Sequence, residues 1–230
     1  MKNNLKISFL LVAVIHVNAA IAIQTKIEKD TIFKNILVLG NSITRHSPAP
    51  KLGWYGDWGM AASSKDNDFV HILEKKFQEV YKPAVVNFAS IVAFERSYWK
   101  YDLSRFDSLR SLHPDLIILR IGENVSSDSM EKYNFGAYYQ LLINYFMSNN
   151  SNARVLCISS FWRKDQVDTL IEKASNRKNC YYLKISQLSE DPTNMALGKF
   201  ENKGVARHPS DKGMSAIASL IWEKVNLIRR

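Results

Sequence analysis

A serine near one end of this chain and a histidine near the other could do chemistry together. Ser42 stands in Gly40-Asn41-Ser42-Ile43-Thr44, directly after the apolar run Ile36-Leu37-Val38-Leu39. His208 stands in Arg207-His208-Pro209-Ser210-Asp211, just before the last amphipathic stretch. A hydroxyl becomes a nucleophile when a neighbouring imidazole takes its proton, and acyl transfer also needs donors aimed at the developing oxyanion. Asn124, in Gly122-Glu123-Asn124-Val125, offers a carboxamide donor, and the segment from Asn87 to Ala93 offers backbone amides. Each signal is weak alone, since Gly-Asn-Ser is usually a turn and an asparagine after a strand is usually a cap. Their order along the chain points to hydrolysis of an ester.

The elements that would position them alternate regularly. Five β-rich apolar runs cover residues 35–39, 84–88, 116–121, 154–159 and 181–185. Between them Phe69, Ile72, Leu73, Phe77 and Val80 keep helical spacing, as do Tyr138, Leu141, Leu142, Tyr145 and Phe146. A weaker pattern covers residues 166–176, and Met214, Ile217, Ala218, Ile221 and Val225 make a clean final stripe started by Pro209 and Ser210. Strands alternating with helices predict an α/β fold, a five-stranded parallel sheet with helices on both faces. In such sheets the ligand crevice lies at the carboxyl ends of the strands, where Ser42 and Asn124 fall. The first crossover is unusual, because about 25 residues separate Ser42 from the first helix, against fewer than about six in most such loops. It carries Trp54, Tyr55 and Trp58 among glycines and prolines. These aromatics read either as a rim on which a sugar stacks, with Trp54 and Trp58 binding substrate, or as the loop's own packing.

Lys2 and Lys6 beside the short apolar run from Ile7 to Val17, followed by Ala20-Ile21-Ala22, read as a signal peptide over residues 1–22, with one domain over 23–230. The expectation is an exported protein, periplasmic or secreted, with no stable membrane insertion. Without residues 1–22 the chain holds 29 basic and 22 acidic residues, a net of +7. The basic residues are scattered, so no nucleic-acid partner is expected, although the charge suits an acidic glycan. Cys157 and Cys180 fall in or beside adjacent predicted strands, a geometry that favours two thiols over a bridge. His46, His71 and His113 have no metal-ligand spacing, so neither a metal nor another cofactor is expected. Nothing in the pattern fixes the oligomeric state.

On these motifs the chain resembles the SGNH, or GDSL-type, hydrolase superfamily, in particular its carbohydrate-esterase-like members. Gly40-Asn41-Ser42-Ile43-Thr44 is similar to the first block, with Asn for the usual Asp. Asn87-Phe88-Ala89 lies in the region of the second, Gly122-Glu123-Asn124 keeps the Gly and Asn of the third, and His208-Pro209 matches the last. The resemblance spans about residues 35–228. It implies a flavodoxin-like three-layer α/β/α fold and hydrolysis of esters, often acetyl groups on carbohydrates. Ser42 would be the nucleophile, His208 the base and Asn124 an oxyanion donor, with a second-block amide near Ala89 or Val92.

The chain departs from the pattern most at Val205, three residues before His208, where the family usually has aspartate. That carboxylate would hold the imidazole tautomer. Three arrangements remain open: another carboxylate, among Glu95, Glu123, Glu201 and Asp211; a main-chain carbonyl; or a dead site that only binds a glycan. Glu95 and Glu123 are the expected surrogates, because their loops border the site. The alternatives to a carbohydrate esterase are that binding protein and a lipase or lysophospholipase, the latter disfavoured because no long apolar segment is available for a fatty chain.

Overall fold

The computed structural model describes residues 31–230. The expected signal segment lies outside these residues. Five parallel strands, β1 (Asn35–Gly40), β2 (Val85–Ser90), β3 (Leu116–Arg120), β4 (Arg154–Ile158) and β5 (Cys180–Leu183), form one sheet in the order β2-β1-β3-β4-β5. This is the flavodoxin-like order, whose switch point lies between β1 and β3. The helices are α1 (Phe69–Val80), α2 (Val92–Ser97), α3 (Asp107–Arg110), α4 (Ser127–Lys132), α5 (Phe135–Met147), α6 (Asp165–Ser175), α7 (Lys203–Ala206) and α8 (Asp211–Arg229).

The central strands read as continuous apolar runs because both faces are covered. Ile36, Val38, Ile118 and Ile158 pack with Phe69, Leu73 and Phe77 of α1 and with Met214, Ile217 and Ile221 of α8. Their alternate neighbours Leu37, Leu39, Leu119 and Cys157 pack on the other face with Phe94 of α2, Phe135, Tyr139 and Phe146 of α5, and Ile171 of α6. Each such fully buried side chain contributes about 1.5–3 kcal/mol of transfer free energy. The three expected layers are therefore present. The ends of the edge strands shift by one or two residues from the expected ranges, because β2 and β5 are only partly covered and their apolar pattern is weaker. Cys157 and Cys180 are both free thiols: the strand register sets Cys180 opposite Val155 and Cys157 opposite Tyr182. Among the described residues no helix is long and apolar enough to cross a membrane.

Candidate active site

The turn after β1 is built for close approach. The Asn41 carbonyl accepts from the amides of Thr44 at 2.9 Å and Arg45 at 3.0 Å, and the Asn41 side chain accepts from Ile43 N at 3.3 Å. A Cβ on Gly40 would lie 2.9 Å from the Arg120 carbonyl oxygen, so only glycine lets the chain leave the sheet here. The long loop is tied to this turn through Met60 N, which donates to the Ser42 carbonyl at 2.9 Å.

Ser42 Oγ lies 2.8 Å from His208 Nε2, although the two residues come from opposite ends of the sequence. His208 Nδ1 lies 2.8 Å from the Gly204 carbonyl oxygen. A carbonyl only accepts, so Nδ1 carries a proton, and in the neutral ring Nε2 is then free to accept from the serine. The carbonyl that does this belongs to α7. Asn202 caps that short helix by accepting from Val205 N at 3.1 Å, and His208 N donates to the Val205 carbonyl at 2.9 Å. Val205, at the position of the absent aspartate, is buried with Trp54, Met60, Ala61 and Ala196 and anchors the turn. Trp162 packs edge-on against the imidazole, with ring centroids 5.3 Å apart. Burial, helped by the Arg120 and His46 charges and opposed by the Gly204 bond, lowers the His208 pKa to about 4.

Neither glutamate expected to orient the histidine does so. Both are turned into the protein behind Ser42. Glu95 accepts from Gly122 N at 2.6 Å, Asn124 N at 2.9 Å and Asn124 Nδ2 at 2.8 Å. Glu123 accepts from Arg120 Nη1 at 2.6 Å, Asn41 Nδ2 at 2.6 Å and Phe161 N at 2.8 Å. Arg120 also donates to Asn41 Oδ1, and its side chain is wholly buried. The physical reason is competition: a buried guanidinium and five inward amide donors offer these carboxylates more bonds than one imidazole N–H could. Burial, then the nearby Glu123 charge, raises the Glu95 pKa. Burial pushes Glu123 up as well, but the Arg120 charge and its hydrogen bonds outweigh this and hold it below the ordinary range. The network also accounts for Asn41. An aspartate there would set a third carboxylate against two buried ones, whereas the amide donates to both. Of the other carboxylates, Asp211 accepts from Ser63 N at 2.8 Å and Ser63 Oγ at 2.7 Å, pinning the long loop to α8. Glu201 is exposed.

A cavity of about 420 Å³ opens over the Ser42–His208 pair, lined by Ser42, His46, Leu52, Met60, Ser90, Val92, Arg96, Asn124, Asn202, Gly204, Val205 and His208. Asn124 thus reaches the site, its carboxamide oriented by Glu95 and by Arg96 Nη2, which donates to Oδ1 at 3.3 Å. Of the two second-block positions, Val92 lines the cavity at the first turn of α2, whereas Ala89 stays in β2 opposite Leu39. Trp54 and Trp58 do not line it. Trp54 is 3% exposed and donates to the His46 carbonyl at 3.0 Å, while Trp58 donates to the Ala62 carbonyl at 2.9 Å. Their rings meet edge to face at 5.6 Å. A long loop must bury its own apolar surface: Trp54 does so in a small cluster with Met60, Ala61, Ala196 and Val205, and Trp58 bridges that cluster to the main core. The Gly204 carbonyl could not be found from sequence, since every residue carries one. Trp162 carries only a weak sequence signal, its place in the loop after the fourth strand at the same sheet edge.

Comparison with protein-family models and with curated proteins finds no match. Solved structures share the architecture. A two-domain esterase active on acetylated mannans matches 85% of this chain with a TM-score of 0.59 at 18% identity, and the chain spans about half, 49%, of its length. The fold is that of the carbohydrate esterases. A catalytic mutant of Axe2, an acetylxylan esterase from Geobacillus stearothermophilus, matches 84% of this chain over 94% of its own length, with a TM-score of 0.53 at 14% identity. A salicylyl-acyltransferase from a tetracycline biosynthetic pathway matches 87% of this chain over 57% of its own, with a TM-score of 0.60 at 16% identity. At these identities the likeness to the esterase fold is one of architecture, and function rests on the site.

Proposed function

We propose that this protein is a serine esterase that removes acetyl groups from a carbohydrate through a Ser42–His208 dyad. The observation that carries the reading is the 2.8 Å contact between Ser42 Oγ and His208 Nε2, with Nδ1 occupied by a carbonyl. His208 takes the serine proton as Oγ attacks the ester carbonyl carbon. The oxyanion forms where the amides of Ser42 and Val92 and the carboxamide of Asn124 can donate. Collapse of this intermediate expels the sugar alkoxide, which takes the proton back from His208, and leaves an acetyl-serine. Water, deprotonated by the same imidazole, then releases acetate and restores Ser42. The Gly204 carbonyl supplies the tautomer. A neutral acceptor stabilises the transient imidazolium less than a carboxylate would, because charge-assisted bonds are roughly twice as strong. A module that only binds glycan has no need of a serine hydrogen-bonded to a base of the right tautomer.

The test is hydrolysis of p-nitrophenyl acetate by the purified protein, together with mass-spectrometric mapping of a serine-directed phosphonate. Turnover with the label on Ser42 is expected; absence of both turnover and label would overturn the reading. Asn124→Ala is expected to lower kcat by about 10²–10³ with little change in KM. An unchanged kcat would reduce Asn124 to a turn residue.

The acidity of His208 sets the pH profile. With the pKa lowered to about 4, the base is already neutral at pH 6, and kcat/KM is expected to fall only as pH drops through about 4. An acid limb centred near 6.5 would contradict this. The same shift weakens folding as pH falls from about 6.5 toward about 4, because the unfolded chain binds a proton that the folded one refuses. Circular dichroism at each pH separates the two effects.

A further inference from the structure

The catalytic cavity does not end at the serine. It shares Leu52 and Asn202 with a second, more polar groove of about 620 Å³. One wall of that groove is the long loop, with Lys51 and Tyr55; the other is the segment before α7, with Lys199 and Phe200. Tyr55 is 74% exposed, yet it is not on a loose tip. Ala49 and Trp54 exchange backbone hydrogen bonds of 2.8 and 3.2 Å, so Trp54 points inward and the next side chain outward. Behind Tyr55, Gly56 lies so close to the two tryptophan rings that a Cβ there would come within 2.6 Å of Trp54. Phe200 closes this packing at 6.3 Å from the Trp54 ring. A fixed, outward aromatic beside lysines and an asparagine is a surface with an apolar face and wet edges. That combination suits a sugar ring, which has apolar C–H faces and a rim of hydroxyls.

The geometry points to a glycan subsite: the chain that carries the acetyl ester runs from the Ser42 cavity past Leu52 and Asn202 into this groove, where one of its further sugar units stacks on Tyr55. This rests on the esterase reading and names its substrate class, an oligosaccharide or polysaccharide rather than an acetylated single sugar. Asn202 is suited to the junction, since its side-chain oxygen is engaged by Val205 N and its NH₂ remains to donate to a hydroxyl.

The test compares acetylated mono- to hexasaccharides of the xylose, mannose and galacturonic acid series with p-nitrophenyl acetate. In at least one series wild-type kcat/KM is expected to rise about tenfold with chain length, the effect of about 1.4 kcal/mol of stacking. Tyr55→Ala should reduce that gain to less than about twofold while leaving p-nitrophenyl acetate turnover unchanged, and Tyr55→Phe should keep it. No chain-length gain in any series, or a full gain in Tyr55→Ala, would overturn the subsite. If the wild type hydrolyses no ester, the esterase reading fails separately. The groove is then read by calorimetry with the three unacetylated hexasaccharides. Binding to wild type that Tyr55→Ala weakens about fivefold or more supports the subsite, and no binding to any of them removes it.

Discussion

Ser42→Ala is expected to lower p-nitrophenyl acetate hydrolysis by about 10⁴-fold or more while leaving the fold intact. The serine sits at a tight turn, but the hydrogen bonds that make this turn come from the Asn41 carbonyl and side chain, not from the hydroxyl. Among the described residues Ser42 Oγ bonds only the imidazole. Its loss removes one partly buried hydrogen bond, worth about 1 kcal/mol, and His208 Nε2 can take a water from the cavity instead. The melting temperature should therefore move by only a few degrees. Near-wild-type turnover in a preparation freed of host esterases would remove Ser42 from the reaction.

The second large effect lies behind the site. Arg120→Met is expected to destabilise the protein by about 3–5 kcal/mol, because it leaves Glu123 buried with no counter-charge. Arg120 is wholly buried and Glu123 is 4% exposed at its side chain, so water cannot take over the lost contact. The Asn41 side chain would lose a partner as well, and with it the shape of the turn that carries Ser42. The double variant Arg120→Met/Glu123→Gln removes both charges and should recover a measurable part of the loss. Equilibrium urea unfolding followed by tryptophan fluorescence reads both. A single-variant loss below about 1 kcal/mol, or a double variant no more stable than Arg120→Met alone, would show that the pair is not carrying the charge balance described.

The layers and the edge at which Ser42, Asn124 and His208 meet were legible because burial on both sheet faces leaves a continuous apolar signature in β1, β3 and β4, and Ser42 and Asn124 follow directly on the ends of β1 and β3. Edge strands β2 and β5 were placed less well, since their partial exposure dilutes that signature. The partner of the histidine is not legible in the sequence, for a different reason. Glu95 and Glu123 do stand on the loops that border the site, but sequence position does not record which way a carboxylate turns, and the buried Arg120 and the inward amides decide it. The tryptophans of the long loop were equally ambiguous, because a ring that binds sugar and a ring that holds a loop together have the same composition. The exposed Tyr55 between them could be told apart only once the Ala49–Trp54 pairing set the alternation.

The pair that meets at 2.8 Å is separated by 166 positions along the chain. Its closure brings together the turn after the first strand and the segment that leads into the last helix, with the other four strands of the sheet lying between them in the sequence. Closing so long a loop is costly in chain entropy before the contacts across it are made. His208 is thus expected to join Ser42 late in folding, and on the proposed mechanism a protein cut before α7 would keep the serine but lack the imidazole that takes its proton. Ester turnover therefore works as a reporter of complete folding: in a refolding experiment its return should lag the burial of the β1–β3 core and coincide with the docking of α8.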